Sequence, residues 1–380
     1  MLRSGPLVLG CWFFLISGPA RAAEPFRFPE GTAGKGTLKY VKDVPVLTVA
    51  GTPEEIGTQI GTLAQPAAEG MIGYFDGLMT RARLDPLRPW LVRSSQGMLP
   101  SFPPDYRAEA EATIKAGHVD RDLFFLGNCL WDIKKLGCST LYVGPDRSAT
   151  AAPLLGRNFD FPTLGGLHEY TLVTVYRPNG KRAFVSVAFP GLIGCVSAMN
   201  DAGLCLAVLD VKKSADGSPP FDLTGTPLPL TFRRIMEECA TVADAEKMLR
   251  ESKRTTYLNL AVCDVHDGAV FEITPKTLAV RQPQDGLCSC TNHFRLPGLA
   301  TDTQCSRFDA LEKSRESSKL GLSDLQSRLH AANQGEATLQ TMIFEPASRT
   351  LHLAIGQGPT TAKPLHKLEL GPLFAPGSGR

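Results

Sequence analysis

The pair Gly137-Cys138 places a reactive thiol directly after a residue that has no side chain. If the peptide bond between the two residues is cut, the α-amino group of Cys138 becomes free. A free α-amine has a pKa of about 7.7 to 8.0, so it can act as a general base near neutral pH. The thiol and its base would then share one residue, with Ser139 and Thr140 as nearby hydrogen-bonding groups. The alternative is that Cys138 is a buried packing residue, which is a common role of free cysteines.

The stretch GRNFDFP carries two charged residues, Arg157 and Asp160, which lie 19 and 22 residues after Cys138. That separation is the length of a strand, a turn and a returning strand, so a β-hairpin would bring both residues beside the thiol. Arg157 could then favour the thiolate form of Cys138. Asp160 could accept a hydrogen bond from the new α-amine. The alternative is a surface ion pair at a strand end, which contributes little stability.

Two later motifs add polar groups to this candidate site. In CTNHFRLPG, Asn292 follows a strand-like run and carries an uncharged amide that could donate to an oxyanion. Its neighbour His293 fits a structural role equally well. In CSRFDAL, Arg307 falls in the first turn of a helix that starts near Cys305. A cation at that place could brace the pocket.

Two regions that differ in their predicted secondary structure must position these residues. Helical patterns predominate in residues 23–137, where Thr52 and Glu55 predict a capping box at the start of the first helix. In residues 138–380, short β-rich runs are separated by turn signals and interrupted by amphipathic helices. Strands followed by helices and by further strands predict an α+β protein in which antiparallel sheets pack between helices.

The beginning of the chain has the features of a secretory signal. Arg3 precedes an apolar run from Leu7 to Ile16, and small residues follow up to Ala22. The sequence therefore predicts that residues 1–22 are a cleaved signal peptide and that the mature protein is secreted or periplasmic. The apolar run is too short to span a bilayer, and no later stretch approaches the required length.

Charge and cysteine content exclude several classes of partner. With 40 basic and 38 acidic residues the chain is nearly neutral, so it lacks the positive surface expected of a nucleic-acid binder. Ten cysteines in an exported chain allow disulfides, but loss of Cys11 with the signal leaves an odd number and at least one free thiol. Cys288 and Cys290 have no histidine or cysteine partner at zinc-site spacing. The sequence therefore predicts no metal and no other cofactor.

Five motifs, in order along the chain, resemble one known family. Gly-Cys-Ser is followed by Gly-Arg-Asn-x-Asp, Met-Asn-x-x-Gly-Leu, Thr-Asn-His and Ser-Arg-Phe, and the separations also fit. The chain is similar to the C45 group of N-terminal-nucleophile hydrolases, typified by acyl-coenzyme A:6-aminopenicillanic acid acyltransferase. The choloylglycine hydrolases and the acid-ceramidase-like amidases are more distant relatives. The resemblance extends over nearly the whole mature chain, from GTPEEIGTQIG to LQTMIFEPASRTLHLAIGQG.

The resemblance implies a four-layer αββα fold that is synthesised as a precursor. It implies that Cys138 cuts the bond between Gly137 and itself and then attacks linear, non-peptide acyl amides of small molecules. Residues 23–137 and 138–380 would become two chains that remain associated with each other.

The resemblance also implies roles for single residues. Arg157 and Asp160 match the family positions that flank the nucleophile. Asn292 matches an active-site asparagine, and Arg307 matches the late arginine of the bile-salt hydrolase relatives. One position departs, because simple counting places Asp210 where choloylglycine-type relatives carry an oxyanion asparagine. A carboxylate cannot donate a hydrogen bond unless it is protonated. Either Asp210 is neutral, or the alignment slips, or Asn292 and backbone N–H groups form the oxyanion hole, and we expect the last of these.

An exported cysteine amidohydrolase is therefore the leading interpretation, and two others stay open. An acyltransferase would share the thioester on Cys138 and pass the acyl group to an amine, although export separates the protein from coenzyme A. A binding protein on the same scaffold with a disabled site is the second alternative, and Asp210 supports it. We expect the substrate pocket to be lined by the loops at residues 159–170 and 211–225.

Overall fold

The computed structural model describes residues 25–81, 83–133, 137–163 and 166–375. The predicted signal peptide, including Cys11, lies outside the described residues. Within them, no helix combines the length and the apolar character that crossing a bilayer requires. Of the nine cysteines in the described part of the chain, eight are buried, and Cys305 is partly exposed.

The strands of the described residues form two sheets. Their bounds are Gly31–Ala33 (β1), Gly36–Val41 (β2), Val44–Gly51 (β3), Gly137–Val143 (β4), Leu154–Asp160 (β5), Leu172–Pro178 (β6), Phe184–Ala188 (β7), Ser197–Asn200 (β8), Cys205–Asp210 (β9), Leu258–Cys263 (β10), Gly268–Ile273 (β11), Leu278–Arg281 (β12), Leu287–Cys290 (β13), Thr338–Glu345 (β14), Thr350–Ile355 (β15) and His366–Glu369 (β16). The larger sheet has ten strands in the order β1-β2-β3-β6-β7-β8-β9-β10-β11-β12, and the smaller has six in the order β13-β4-β5-β14-β15-β16. Strands such as β7, β9, β10 and β11 are buried at every position, because both faces of their sheet are covered.

Helices cover the outer face of each sheet. Their bounds are Pro53–Ala64 (α1), Ala68–Arg81 (α2), Arg88–Met98 (α3), Pro104–Gly117 (α4), Arg121–Ile133 (α5), Leu228–Glu238 (α6), Val242–Glu251 (α7), Ser306–Glu312 (α8), Leu322–Ala331 (α9) and Gly371–Phe374 (α10). Helices α1, α6 and α7 contact the ten-stranded sheet, and helices α8 and α9 contact the six-stranded sheet. The two sheets pack face to face where β4 of the smaller sheet contacts β9 and β10 of the larger sheet. The result is the α+β, four-layer αββα arrangement that the resemblance implies.

The first helix begins where the sequence predicts. Thr52 accepts a hydrogen bond from the backbone of Glu55 at 3.3 Å, and the carboxylate of Glu55 accepts one from the backbone of Thr52 at 2.8 Å, which completes the capping box. Gly57 lets α4 approach closely, because a Cβ there would lie 2.2 Å from the backbone oxygen of Glu109. Gly61 is equally tight, since its Cβ would lie 2.5 Å from the backbone oxygen of Thr113.

Residues 31–51 form three strands that the sequence analysis does not predict. Because β3 pairs in parallel with β6, the segment before Cys138 extends the ten-stranded sheet. The turn between β2 and β3 holds Lys42 and Asp43 at φ of 50° and 64°. Such left-handed hairpin turns usually contain glycine or asparagine, so this turn has a weak sequence signal. The helices α1 to α5 agree with the predicted helical character of the rest of the segment.

A buried ion cluster joins the N-terminal segment to the remainder of the chain. Arg233 of α6 donates to both carboxylate oxygens of Glu109 on α4, at 2.7 and 2.6 Å, and to Glu237 at 2.8 Å. Tyr106 and Lys181 each donate to the other carboxylate oxygen of Glu237 at 2.8 Å. Arg233, Glu109 and Glu237 are at most 2% exposed, so each charge depends on its partners.

We predict that Glu109→Gln lowers the free energy of unfolding by about 3 kcal/mol or more, because it removes one carboxylate from a buried arginine. Glu238→Gln makes the same chemical change in the exposed pair between Arg234 and Glu238, and should cost at most about 1 kcal/mol. Urea denaturation of both variants measures the difference. Equal effects of the two substitutions would contradict the importance of the buried cluster.

Candidate active site

Strand β4 begins with Gly137 and Cys138 and pairs with β5 in an antiparallel hairpin. In this register Cys138 lies opposite Phe159, and Thr140 lies opposite Arg157. Side chains of directly opposed residues lie on the same face of a sheet. The hairpin therefore places Arg157 beside the thiol, between the two sheets, and the predicted hairpin is confirmed.

Arg157 is a fully buried cation that contacts the sulfur. Its Nη2 lies 3.7 Å from Sγ of Cys138, and its Nη1 donates to the backbone oxygen of Val208 on β9 at 2.7 Å. Its guanidinium carbon lies 5.3 Å from the ring centroid of Phe159. Arg157 is thus a buried cation and not part of a surface ion pair. A buried charge of this kind requires compensating hydrogen bonds or an opposite charge.

Two side chains bind the backbone of Cys138. The N–H of Cys138 donates to Oδ1 of Asn292 at 2.8 Å, and the carbonyl oxygen of Cys138 accepts from Nη1 of Arg307 at 2.6 Å. Arg307 also donates to Oδ1 of Asn292 at 2.9 Å and to Oγ of Ser139 at 3.3 Å. The structure therefore brings Asn292 and Arg307, two candidate site residues from separate motifs of the sequence, together at Cys138.

The register of β13 explains why Asn292 reaches Cys138. Strand β13 pairs with β4 up to the pair Cys290 and Thr140, and the ladder ends there. Continuing the register by two residues places Asn292 opposite Cys138. The side-chain oxygen of Asn292 accepts the bond that a backbone carbonyl would accept in a longer strand.

Asp160 is held by two side chains that the sequence does not predict as site residues. Its carboxylate accepts from Nε2 of Gln334 at 2.7 Å and from Oγ1 of Thr338 at 2.6 Å. Both residues lie at or just before the start of β14, which pairs with β5. No local sequence pattern identifies them, because only the pairing of two distant strands brings them to Asp160.

Asp160 lies on the opposite face of the hairpin from the thiol, where it pairs with Gly137. Its carboxylate is 3.8 Å from Nη1 of Arg307, which binds the carbonyl oxygen of Cys138. The N–H of Cys138 donates to Asn292 rather than to Asp160, the acceptor that the sequence suggested for the α-amine. In this structure the carboxylate of Asp160 is therefore linked to Cys138 through Arg307.

Gly137 occupies a place where no side chain fits. A Cβ on Gly137 would lie 2.0 Å from Nε2 of Gln334 and 3.2 Å from Cβ of Asp160. A larger residue at this position would displace Gln334 and with it one hydrogen bond to Asp160.

Asp210 contributes its backbone to the site. It is the last residue of β9, and its carbonyl oxygen accepts from Nδ2 of Asn292 at 2.8 Å. An amide nitrogen carries two hydrogens, so Asn292 keeps one N–H beyond this bond. Asp210, the position that simple counting assigns to the oxyanion residue, therefore does contact Asn292. The contact uses the backbone carbonyl oxygen of Asp210 and not its side chain.

His293 lies beside Asn292 and is neutral at neutral pH. Burial, reinforced by the charge of Arg295, lowers the pKa of His293 to about 4. Its Nε2 lies 2.8 Å from Nη2 of Arg295 and serves there as the acceptor. This arrangement agrees with the structural role that the sequence left open.

Comparison with known protein families identifies the family of this chain. The profile of the acyl-coenzyme A:6-aminopenicillanic acid acyl-transferase family matches residues 147–359, which is more than half of the chain. The chain belongs to this family. The match confirms the resemblance found in the sequence motifs. It begins after Cys138 and contains Arg157, Asp160, Asp210, Asn292 and Arg307.

One curated relative of this family member comes from Archaeoglobus fulgidus and is described as an uncharacterized protein. It is 27% identical over 337 residues, which cover 74% of this chain and 56% of the relative. The chain therefore spans little more than half the length of this relative.

Three solved structures are similar at low sequence identity. A mutant of the conjugated bile acid hydrolase from Clostridium perfringens is 13% identical with a TM-score of 0.46, over 62% of this chain and 93% of that chain. The Caenorhabditis elegans N-acylethanolamine-hydrolyzing acid amidase ortholog is 13% identical with a TM-score of 0.42, over 55% of this chain and 93% of that chain. Penicillin V acylase from Agrobacterium tumefaciens is 15% identical with a TM-score of 0.45, over 62% of this chain and 92% of that chain.

The charges around Cys138 in this acyl-transferase family member act in opposite directions. Burial raises the pKa of the Cys138 thiol, and the charge of Asp160 adds to that effect. The cations Arg157 and Arg307 lower the same pKa, as does a hydrogen bond from the backbone of Asp160, but burial is the largest contribution. Burial also lowers the pKa of Arg157 and raises that of Asp160. In the intact chain the thiol is therefore held in its protonated form.

We predict that Cys138 of the intact chain ionises above the usual range of thiols, and that Arg157→Met raises its pKa further by removing the nearby cation. The ultraviolet absorbance of the thiolate, taken as the difference between the uncut form of each protein and its Cys138→Ser counterpart across a pH series, measures this ionisation. Because the folded state keeps the proton, the stability contributed by the buried thiol is lost as the pH rises through the raised value.

A second buried cysteine supplies the matched control. Nη1 of Arg281 lies 3.3 Å from Sγ of Cys288, so Arg281→Met removes a similar contact elsewhere in the chain. This variant should leave the titration of Cys138 unchanged. If the pKa of Cys138 is lower in Arg157→Met than in the unchanged protein, the arginine does not favour the thiolate.

Proposed function

We propose that the protein is an exported cysteine amidohydrolase that cleaves linear acyl amides through a thioester on Cys138. The observation that carries the proposal is the convergence of three side chains on this one residue. Arg157 contacts its sulfur, Asn292 binds its nitrogen, and Arg307 binds its carbonyl oxygen. Membership of an acyl-transferase family supports chemistry at an acyl carbon.

The first reaction is cleavage of the chain itself. Sγ of Cys138 attacks the carbonyl carbon of Gly137, the bond from that carbon to the nitrogen of Cys138 breaks, and the nitrogen takes up the thiol proton. Water then hydrolyses the resulting thioester, which leaves a carboxylate on Gly137, a free thiol and a free α-amine. The absent side chain of Gly137 favours this attack, because Gly137 has no side chain of its own to shield its carbonyl carbon.

The second reaction is turnover of an acyl amide. The α-amine accepts the proton of the thiol, the thiolate of Cys138 bonds to the amide carbon, and the substrate carbon–nitrogen bond breaks as the leaving amine takes that proton. Water then attacks the thioester, which releases the carboxylic acid and restores the thiol. The free α-amine would replace the peptide N–H as the group that Asn292 binds.

The surrounding residues have separate roles in this scheme. The N–H of Asn292 that does not bind Asp210 is available to donate to the oxyanion, together with backbone N–H groups. Arg307 is a positioning residue, since it binds both Asn292 and the carbonyl oxygen of Cys138. Asp160 stabilises Arg307 from 3.8 Å.

We predict that the purified mature protein consists of two tightly associated fragments and that the larger fragment begins at Cys138. Intact mass spectrometry together with N-terminal sequencing measures this. Cys138→Ala should remain one chain and be inactive, because it lacks the attacking sulfur. Cys290→Ala is the matched control, since it removes another buried thiol of the same sheet, and it should be cleaved normally.

Three outcomes would overturn this part of the proposal. An active protein that stays uncut would mean that a base other than the α-amine serves the thiol. A Cys138→Ala chain that is still cleaved would mean that another residue carries out the cleavage. If the normal protein stays uncut and Cys138 does not react with a thiol-directed acyl analogue, the site is disabled and the binding-protein interpretation applies.

Acyl transfer is the second candidate function, and the family to which the chain belongs favours it. Hydrolysis and transfer share the thioester and differ in whether water or an amine attacks it. We predict that an activated acyl ester yields mainly the free acid even when 6-aminopenicillanic acid is added as acceptor. Chromatography of the products measures the ratio, and a predominance of the amide product would establish transfer instead.

A further inference from the structure

The side-chain amide of Gln334 contacts two residues of the candidate active site. Gln334 is exposed and lies just before β14, but its Nε2 donates to Oδ2 of Asp160 at 2.7 Å. The same nitrogen fills the space that a side chain on Gly137 would need, since a Cβ there would lie 2.0 Å from it. The amide can therefore lie against Gly137 only because this residue has no side chain.

The turn that carries Gln334 is fixed by the second residue that binds Asp160. The backbone N–H of Gln334 donates to Oγ1 of Thr338 at 2.8 Å, and this hydroxyl donates to Oδ1 of Asp160 at 2.6 Å. Thr338 is fully buried, and Asp160 is 1% exposed. Each oxygen of the Asp160 carboxylate thus has a side-chain donor, and the exposed amide of Gln334 supplies one of the two.

Asp160 faces the arginine that binds the backbone of Cys138. Its carboxylate lies 3.8 Å from Nη1 of Arg307, and this nitrogen donates to the carbonyl oxygen of Cys138 at 2.6 Å. Nη2 of Arg307 donates to Oδ1 of Asn292, which also accepts from the N–H of Cys138. A carboxylate that turned away would leave Arg307 without this opposite charge. A series of contacts therefore leads from Gln334 to both backbone groups of Cys138.

We propose that Gln334 is a positioning residue for self-cleavage, and that glycine is required at position 137 because it leaves room for the Gln334 amide. The proposal rests on the proposed function of Cys138, since it concerns the step that frees the α-amine. The missing side chain of Gly137 then acts through Gln334 and Asp160, and not only by leaving its own carbonyl carbon accessible. Gln334 itself exchanges no atom or proton in the reaction.

Two substitutions separate these two roles of Gly137. Gly137→Ala displaces the amide of Gln334, and Gln334→Ala deletes it, so both remove the same hydrogen bond to Asp160. The other close contact of the added Cβ, at 3.2 Å from Cβ of Asp160, needs a shift of only a few tenths of an ångström. The two effects should therefore not add. If glycine served only to expose its carbonyl carbon, the two substitutions would act separately and their factors would multiply.

The experiment follows the conversion of newly synthesised, radiolabelled full-length chain into its two fragments by gel electrophoresis. We expect Gly137→Ala and Gln334→Ala each to slow cleavage by about tenfold or more, the factor that corresponds to one hydrogen bond to a charged group. The double variant should be about as slow as either single variant. Gln326→Ala is the matched control, because Nε2 of Gln326 donates to the backbone oxygens of Thr361 and Lys363 instead, and it should be cleaved at the normal rate.

Gln334→Glu gives a readout that a merely structural role would not move. The introduced carboxyl group lies against the carboxylate of Asp160, and two neighbouring carboxylates raise the pKa of one of them. A proton held between the two replaces the lost N–H, and its loss at higher pH leaves two charges that repel. The other charged and titratable groups that face Asp160 are Arg307, Arg157 and the Cys138 thiol, and they are the same in every variant. The cleavage rate of Gln334→Glu, as a fraction of the normal rate at each pH, should therefore fall as the pH rises, and that of Gln334→Ala should not.

Cleavage of Gln334→Ala at the normal rate would overturn the inference, as would a double variant whose factor is the product of the single factors. A fraction for Gln334→Glu that stays constant with pH would also contradict it. Because Gln334 is exposed, its variants should keep the normal midpoint of urea denaturation, which distinguishes slow cleavage from a folding defect. If the normal protein is cut and the variants behave like it, the inference fails alone. If the normal protein stays uncut, the proposed self-cleavage fails as well.

Discussion

The site depends on the place where β13 ends. Because its ladder with β4 stops at Cys290 and Thr140, the N–H and carbonyl of Cys138 bind Asn292 and Arg307 instead of another strand. A backbone partner would hold Cys138 as an ordinary internal residue of the sheet. Side-chain partners can bind a peptide N–H before cleavage and an amine after it, so the same contacts serve both reactions that we propose.

The second constraint is the burial of Arg157 between the sheets. A buried guanidinium without partners is strongly unfavourable, and the structure gives this one a backbone oxygen and the sulfur of Cys138. Burial acts on the thiol as well and keeps it protonated in the intact chain. An arginine at this position therefore gains an opposite charge when the thiol ionises, which links the electrostatics of the core to the nucleophile that we propose.

The sequence predicts the local parts of this arrangement well. The capping box at Thr52, the hairpin that carries Arg157 and the helix that begins before Arg307 all follow from short-range patterns. What it misses depends on distant pairing. Gln334 reaches Asp160 only because β14 lies beside β5, and the strands of residues 31–51 form around a turn without glycine. The sequence also does not predict an apolar cavity that lies between α1, α2 and α5. The wall of this cavity comes mainly from helices, and their apolar residues cannot be distinguished in sequence from ordinary core residues.

The most direct test of the account is to locate the acyl group during turnover. The cleaved protein is mixed with an activated acyl ester, quenched in acid within the first turnovers, and mapped by peptide mass spectrometry. We expect one added acyl group, on the peptide that begins with Cys138. An acyl group on any other residue, or steady turnover with no modified peptide, would contradict it.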